Sequence, residues 1–232
     1  DIKIVKNYKI KKNKSKKEIN SQHNNFLINK ITNYKSNKGF TGVSIDSKSV
    51  KKGNLFLAIK GKNNDGHNYL REAMTKGAYK CVISKNFNKI PKNKVIKVTN
   101  TYNFLKKLAV LKRNYTNGKI IAVTGSSGKT SVKDLIGNLL NNYGKTYFSP
   151  RSFNNLYGVP LSLCNLQQEH EYGVFEIGMS RKGEINNLSK LVKPNIAIIT
   201  NIAEAHIENF KSLGHIAKAK GEIIDNISKS GF

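Results

Sequence analysis

The chain has 232 residues, enough for one large domain or two small ones. Lys and Arg number 41 against 14 Asp and Glu, which gives a formal net charge of +27. The lysines are spread over the whole chain and do not form a basic stripe with interleaved aromatic residues, so this charge does not predict a nucleic-acid partner. No apolar run is long enough to span a membrane.

The first half of the sequence divides into a lead-in and a small domain. Residues 1–39 are rich in Lys, Asn and Ser and poorly patterned, so we expect an irregular segment with one strand and one short helix. Residues 40–116 predict a small α/β domain, and Asn117-Gly118 marks its end. Its predicted strands are residues 43–45, 55–59, 79–84 and 95–98, and its predicted helices are residues 69–76 and 102–115.

Residues 117–232 alternate strands and helices, as a parallel sheet requires. The predicted strands are residues 119–124, 172–177 and 195–200, and the predicted helices are residues 130–142, 183–192 and 213–228. The fold class is therefore α/β, a small N-terminal α/β domain followed by a parallel-sheet domain. Because the alternation stops after one more helix and the first residue is Asp1, we expect an incomplete domain in a piece of a longer chain.

Cys81 and Cys164 stand far apart in apolar surroundings and lack the spacing of a metal site or a disulfide framework. They are therefore expected to be buried free thiols. The lysine-rich N-terminus contains no apolar segment of the signal-peptide type. These features predict a cytoplasmic, reducing environment.

The segment KIIAVTGSSGKTSVK, residues 119–133, is typical of a phosphate-binding loop between a strand and a helix. Its glycines let backbone N–H groups face an anion, and the following helix adds its positive end. The general motif has a glycine where this chain has Val123, so the loop is the shorter G-x-x-G-K-T form. The predicted ATP-binding residues are Gly125, Ser126, Ser127, Gly128, Lys129, Thr130 and Ser131. Lys129 would contact the outer phosphates, and the Thr130 hydroxyl would ligate Mg²⁺.

Three further residues are candidates for chemistry in the second domain. Glu176 ends an apolar strand, so it is placed to hold Mg²⁺, although a solvated strand-end carboxylate is the simpler alternative. His206 follows the strand at residues 195–200, and a second metal ligand and a structural hydrogen-bonding histidine are both open. For Lys220, the sequence alone favours a solvated helix face.

Asn154 and Asn155 lie in a turn-rich loop before the helix-like segment LSLC. Their side chains could contact a ligand or cap that helix, and the sequence does not separate the two. In the first domain, the segments at residues 44–48 and 65–67 are explained by turn formation and capping.

Taken together, these segments resemble the Mur ligases over about residues 40–230. The blocks that carry the resemblance are GVSIDSKSVKKGNLFLAIKGKNNDGHNYLREAMTKGA, IAVTGSSGKTSVKDLIGNLL, SFNNLYGVPLSL, VFEIGMSRKGEI, ITNIAEAHIENF and IAKAKGEIID. The EIGMS and AHIENF blocks resemble the branch of the family that adds D-Ala-D-Ala to UDP-N-acetylmuramoyl-tripeptide, in peptidoglycan precursor synthesis. Residues 40–116 would then be the small α/β domain that binds the UDP-linked substrate. Residues 117–232 would be an incomplete P-loop-type parallel-sheet ATPase domain that binds ATP.

The resemblance also implies roles for single residues. Glu176 and His206 become expected Mg²⁺ ligands, and Lys220 matches a lysine that is carbamylated in some relatives and then helps to hold a metal. Ser47 and Lys48 fall in the UDP-binding stretch, where Lys48 replaces the usual Arg and loses its bidentate fork. We expect a monomer, with Lys129, Glu176, His206 and Lys220 as the catalytic group.

Two alternatives remain open on the sequence. One is another ligase of the superfamily, such as the diaminopimelate- or lysine-adding type; the folate-polyglutamate type lacks a first-domain block like this one. The other is a non-catalytic nucleotide-binding module, in which Glu176 and His206 would be dispensable. Family members carry a third, C-terminal domain that closes over ATP and the amine, and without it the chain is expected to be inactive as a ligase.

Overall fold

The computed structural model describes residues 16–32, 34, 39–87, 90–204, 209–210 and 212–228, with residues 16–19 described by their backbone only. The helices are α1 (Lys16–Ile31), α2 (Leu70–Thr75), α3 (Thr101–Asn114), α4 (Lys129–Leu140), α5 (Gly158–Asn165), α6 (Glu184–Val192) and α7 (Leu213–Gly221). The strands are β1 (Val43–Ser44), β2 (Leu55–Leu57), β3 (Lys80–Ile83), β4 (Val95–Lys97), β5 (Lys119–Thr124), β6 (Thr146–Phe148), β7 (Tyr172–Glu176) and β8 (Ile196–Ile199). Within these ranges every paired strand is parallel, which confirms the predicted α/β class.

The chain divides into two compact units, residues 1–99 and residues 100–232. The sheet of the first unit has the strand order β1-β2-β3-β4. Its core packs Phe56 and Ile83 against Leu70 of α2. Helix α2 ends before Gly77, whose φ of +91° suits the left-handed position that follows a helix. This backbone conformation explains why residue 77 is a glycine.

The sheet of the second unit has the strand order β6-β7-β5-β8, so the strand that feeds the glycine-rich loop is central. Helix α4 packs with Val132 and Ile136 against Ile121, Val123 and Val174 on one face of this sheet. Because β5, β7 and β8 are parallel, their carboxyl ends meet at one edge. That edge is where ligands bind in open parallel sheets.

The structure differs from the sequence predictions at three elements. Helix α1 is 16 residues long, so the lead-in contains more than a short helix, and Leu27 and Ile28 on it are buried. Strand β6 was not predicted, because its three residues are half-buried and too few to show a period. The helix predicted over residues 213–228 ends at Gly221, and a 3-10 turn follows at Ile224–Asn226.

Helix α3 belongs to the second unit, so the division between the units lies earlier than the predicted boundary at residues 116 and 117. The Tyr102 hydroxyl donates to the Leu156 carbonyl at 3.1 Å, and the Cys164 thiol faces the Leu105 carbonyl at 3.6 Å. Cys81 and Cys164 are both buried free thiols, as predicted, and burial raises the pKa of Cys81 to about 12. In the described part of the chain, no helix combines the length and the apolar character needed to cross a membrane.

Candidate functional site

The glycine-rich loop connects β5 to α4 and turns on two glycines with positive φ. Gly125 has φ +150° and Gly128 has φ +75°, and Gly128 is the N-cap residue of α4. A Cβ built on Gly125 would overlap the Thr200 hydroxyl, whereas a Cβ on Gly128 would meet no atom within 4 Å. The loop is therefore tightly held at its start and has open space at the helix N-terminus, where an anion is favoured.

The segment after β8 holds this loop in place through several hydrogen bonds. The Thr200 hydroxyl donates to the Ser127 carbonyl at 2.6 Å. Asn201 accepts from the Ser127 backbone N–H at 2.9 Å and donates to its hydroxyl at 2.7 Å. Ser126 exchanges two hydrogen bonds of 2.9 Å with the Ala203 backbone. The Ser126 and Ser127 side chains thus stabilise the conformation of the loop, a role that the motif does not reveal.

Glu176 stands at the carboxyl end of β7 and is only 2% exposed, so the solvated alternative for this residue is wrong. Its carboxylate accepts a hydrogen bond from the Thr130 hydroxyl at 2.7 Å and another from the Asn154 side-chain amide at 2.7 Å. Two predicted metal ligands from separate elements, Thr130 and Glu176, are thereby in direct contact. Asn154 is the third member of this group.

Two residues that the sequence analysis did not predict, Ser149 and Lys133, form a hydrogen-bonded chain that leads to Glu176. The Ser149 hydroxyl accepts from the Glu176 backbone N–H at 3.2 Å. The Ser149 carbonyl accepts from the Lys133 ammonium at 2.7 Å, and Asp134 pairs with the same ammonium at 2.7 Å. Lys133 lies four residues after Lys129, on a helix face that the sheet covers; that periodicity was the available signal.

A cavity of about 480 Å³ opens beside the loop. It is lined by Gly125, Ser126, Lys129, Asn154, Asn155, Leu156, Tyr157, Gly178, Met179, Ser180, Glu184, Leu188 and Lys220. One part of the lining is therefore apolar, and another carries two lysines and one glutamate. Such a mixture suits a ligand that is held by charge at one end and by apolar contact at the other.

The two lysines in the cavity differ in their partners. The Lys129 ammonium donates to the loop carbonyls of Gly125 at 2.9 Å and Ser126 at 3.2 Å. Lys220 is only 3% exposed, so the solvated-face prediction is wrong. Burial, with a smaller contribution from the Lys129 charge, lowers the pKa of Lys220 to about 8.

The two asparagines of the 153–157 loop take different parts. The Asn155 side chain accepts from the backbone N–H groups of Tyr157 at 3.0 Å and Gly158 at 2.9 Å, which makes it the cap of α5. The Asn154 amide contacts Glu176, and the Asn154 carbonyl accepts from the Gly178 N–H at 2.7 Å. Both residues line the cavity, so capping does not remove them from contact with a ligand.

Of the other predicted site residues, His206 lies outside the described residues. Ser47 and Lys48 lie in the first unit, on a 3-10 turn whose N-cap is Asp46. The buried Ser47 hydroxyl donates to Glu72 at 2.7 Å, and Lys48 is exposed. The Asp65 carboxylate likewise accepts from the His67 N–H at 3.1 Å, which agrees with the capping interpretation of that segment.

The residues around the loop fit a nucleotide and its metal. Thr130 and Glu176 supply oxygen donors, the type that Mg²⁺ prefers, and Mg²⁺ sites commonly use one or two protein ligands together with substrate phosphates. Over the described ranges no cluster of three or more His, Cys, Asp or Glu side chains occurs. The donor set therefore suits a metal shared with a bound phosphate.

Two family models match almost adjacent parts of this sequence. The model for the Mur ligase middle domain matches residues 123–232, and the model for the catalytic domain of the Mur ligase family matches residues 39–113. The chain belongs to the Mur ligase family. The resemblance predicted from the sequence blocks is thereby confirmed.

Similarities to individual proteins support the same family assignment. This Mur ligase chain is 45% identical over 188 residues to the UDP-N-acetylmuramoyl-tripeptide–D-alanyl-D-alanine ligase of Rickettsia prowazekii, covering 81% of this chain and 42% of that protein. A crystal structure of MurF from Acinetobacter baumannii superposes with a TM-score of 0.77 at 31% identity, covering 89% of this chain and 47% of that one. MurF ligase from Thermotoga maritima in complex with ADP superposes with a TM-score of 0.69 at 35% identity, covering 82% of this chain and 44% of that one. The chain thus spans less than half the length of these relatives.

Proposed function

We propose that the protein of which this chain is part is an ATP-dependent ligase that adds D-Ala-D-Ala to UDP-N-acetylmuramoyl-tripeptide in peptidoglycan precursor synthesis. The activity of the Rickettsia relative, a UDP-N-acetylmuramoyl-tripeptide–D-alanyl-D-alanine ligase, supports the substrates, and the ADP complex of the Thermotoga relative supports the nucleotide. The observation that carries the proposal is the 2.7 Å contact between Thr130 and Glu176 beside the glycine-rich loop. It joins a phosphate loop to a metal-binding carboxylate, as phosphoryl transfer needs.

The loop residues Gly125–Ser131 would bind the phosphates of ATP. The N–H groups at the start of α4 and the Lys129 ammonium supply positive charge on the open side of Gly128. Lys129 already rests on loop carbonyls, so its charge is held beside the loop. Its part is to stabilise the charge of the transferring phosphoryl group.

Thr130 and Glu176 would hold Mg²⁺, with His206 as a further ligand. Mg²⁺, when bound, neutralises charge on the phosphoryl group that is transferred. Asn154 orients the Glu176 carboxylate through its amide, and Ser149 fixes the backbone of Glu176. The acidic side chain is thus presented in one orientation before any ligand binds, which reduces the reorganisation required in the transition state.

The proposed reaction has two steps. The terminal carboxylate of the UDP-linked tripeptide attacks the γ-phosphoryl group of ATP, which forms an acyl phosphate and releases ADP. The amine of D-Ala-D-Ala then attacks the acyl carbon, the amide bond forms and inorganic phosphate leaves. Lys220, in the cavity beside Lys129, would as an ammonium stabilise the negative charge that passes through this space; as a carbamate, formed from its neutral amine and CO2, it would instead help to hold Mg²⁺, and its lowered pKa favours the neutral amine.

The first unit, with Ser47 and Lys48, would bind the UDP part of the substrate, and Asn154 and Asn155 would contact the end that reacts. The support is the match of the Mur ligase family model to residues 39–113 and the exposed charge of Lys48. All residues that line the cavity come from the second unit, and we propose a monomer as the working form. Because the substrates are ATP and a UDP-linked precursor, we infer action in the cytoplasm.

An oxygen-transfer experiment tests the chemistry. The complete protein is given tripeptide substrate labelled with ¹⁸O in its terminal carboxylate, together with ATP and D-Ala-D-Ala. An acyl phosphate requires that one labelled oxygen appears in the released inorganic phosphate. Unlabelled phosphate alongside normal amide formation would refute the acyl-phosphate route.

A further inference from the structure

Glu222 caps the first turn of α6 from outside that helix. Its carboxylate accepts from the Gly183 backbone N–H at 3.0 Å to Oε1 and 3.1 Å to Oε2, and from the Asn186 N–H at 3.1 Å to Oε2. Gly183, the N-cap residue of α6, has no side chain with which to cap it. A carboxylate at this end also meets the positive pole of the helix. Glu222 therefore makes a strong link between α6 and the chain just after α7.

This link joins two parts of the cavity lining. Met179, Ser180 and Glu184 line the cavity from the segment that leads into α6. Lys220 lines it from the last turn of α7, two residues before Glu222. The Glu222 carboxylate thus connects the wall that carries Glu184 to the wall that carries Lys220.

The position of the Lys220 ammonium depends on the helix that carries it. Across the described ranges its ammonium makes no hydrogen bond or ion pair with another residue. Ile216 and Ala219 are buried on α7 and Ile223 is buried just after it, so apolar packing holds the helix face, and Glu222 adds the charged contact at the helix end. Within those same ranges Glu222 forms no ion pair with Lys220, so the Lys220 charge stays available to the cavity.

We propose that Glu222 is the positioning residue for Lys220, and that it acts by tying the end of α7 to the first turn of α6. This inference rests on the proposed function, because it assumes that Lys220 stabilises charge during the reaction. Loss of the tie would let the Lys220 ammonium move relative to the phosphate loop. A displacement of about 1 Å at a charge-stabilising group costs roughly 100-fold in rate.

The test compares Glu222→Ala with Glu222→Gln in the complete protein, and Asp225→Ala is the matched control. Asp225 is an exposed carboxylate three residues further along. We expect Glu222→Ala to lower kcat by roughly 10- to 100-fold while KM for ATP changes by less than about 2-fold. Glu222→Gln keeps an oxygen acceptor for the α6 N–H groups and should retain most of kcat, and Asp225→Ala should match the unaltered protein.

A double-mutant cycle with Lys220→Ala separates positioning from general stability. If Glu222 acts through Lys220, adding Glu222→Ala to Lys220→Ala lowers kcat no further. If the two losses multiply, or if Glu222→Ala alone leaves kcat unchanged, the inference is overturned. Thermal unfolding identifies a variant that does not fold, and in that event the cycle is run with Glu222→Asp, the shortened acid, in place of Glu222→Ala.

A second measurement does not need the ligase activity. The rate at which an amine reagent, trinitrobenzenesulfonate, labels Lys220 is followed by mass spectrometry at one fixed pH. Glu222→Ala should raise this rate several-fold, because a buried amine at a loosened helix end becomes accessible, and Asp225→Ala should not. Equal rates would overturn the inference. If the unaltered protein shows no amine-dependent ADP release while the labelling rates differ, the proposed function fails and the positioning of Lys220 by Glu222 stands.

Discussion

Substitution of Glu176 by Gln removes the charge of the proposed metal ligand and leaves its shape. The carboxylate is 2% exposed and accepts from Thr130 and Asn154. A glutamine can accept from the Asn154 amide with its oxygen and donate to the Thr130 hydroxyl with its nitrogen, so both contacts survive. We therefore expect the melting temperature to change by no more than a few degrees.

The catalytic loss should be much larger than the change in stability. Two unit charges about 4 Å apart interact by about 4 kcal/mol at the effective dielectric constant of roughly 20 that applies to partly buried pairs. Loss of 3–4 kcal/mol corresponds to a decrease of about 10²- to 10³-fold in kcat/KM for ATP. The same loss is typical when a preorganised charge-stabilising group is removed from an active site.

The assay measures ADP release by the complete protein over a range of Mg²⁺ concentrations. Glu171→Gln is the matched control, because Glu171 precedes the amino end of β7 whereas Glu176 ends the strand. Glu176→Asp keeps the charge and should fall between Glu176→Gln and the unaltered protein. Unchanged kcat/KM in Glu176→Gln at every Mg²⁺ concentration would refute the metal role.

Three further predictions concern the loop, the core and the first unit. Gly125→Ala should weaken ATP binding at least 10-fold in calorimetry, because a Cβ would overlap Thr200 and the φ of +150° is unfavourable for alanine; unchanged affinity would contradict the loop geometry. Burial lowers the pKa of Lys112 to about 7, so the unfolded chain holds more protons between pH 7 and 10.5 and stability should rise with pH across that window. Lys112→Met should remove this rise, which is about 5 kcal/mol for a pKa lowered from 10.5 to about 7, in urea unfolding, and an identical pH dependence would contradict the assignment. Lys48→Ala should raise KM for the UDP-linked substrate about 10-fold with kcat unchanged, Lys48→Arg should not, and equal KM values would exclude this contact.

The sequence was sufficient for features that depend on local order along the chain. The strand, glycine-rich loop and helix at residues 119–142 were predictable because strand burial, positive-φ glycines and the helix start each leave a local signal. Glu176 could be placed at a sheet edge for the same reason. The alternation of strands and helices likewise predicted a parallel sheet in the second unit.

The sequence was not sufficient for contacts made across the fold. Lys220 is a buried lysine, and nothing in its neighbours along the chain distinguishes it from the many exposed ones. Asn155 caps α5 and Asn154 contacts Glu176, a division that depends on where β7 ends relative to the loop. Glu222 caps a helix that begins 38 residues earlier in the chain, which no local pattern can reveal.

The most direct test of the account is ADP release by the complete protein with UDP-N-acetylmuramoyl-tripeptide and ATP, with and without D-Ala-D-Ala. For the proposed ligase we predict sustained ADP release that depends on D-Ala-D-Ala, with one amide formed for each ADP. Bound ATP with no dependence on D-Ala-D-Ala would contradict it, and replacement of that dependence by one on diaminopimelate or lysine would move the protein to another branch of the family.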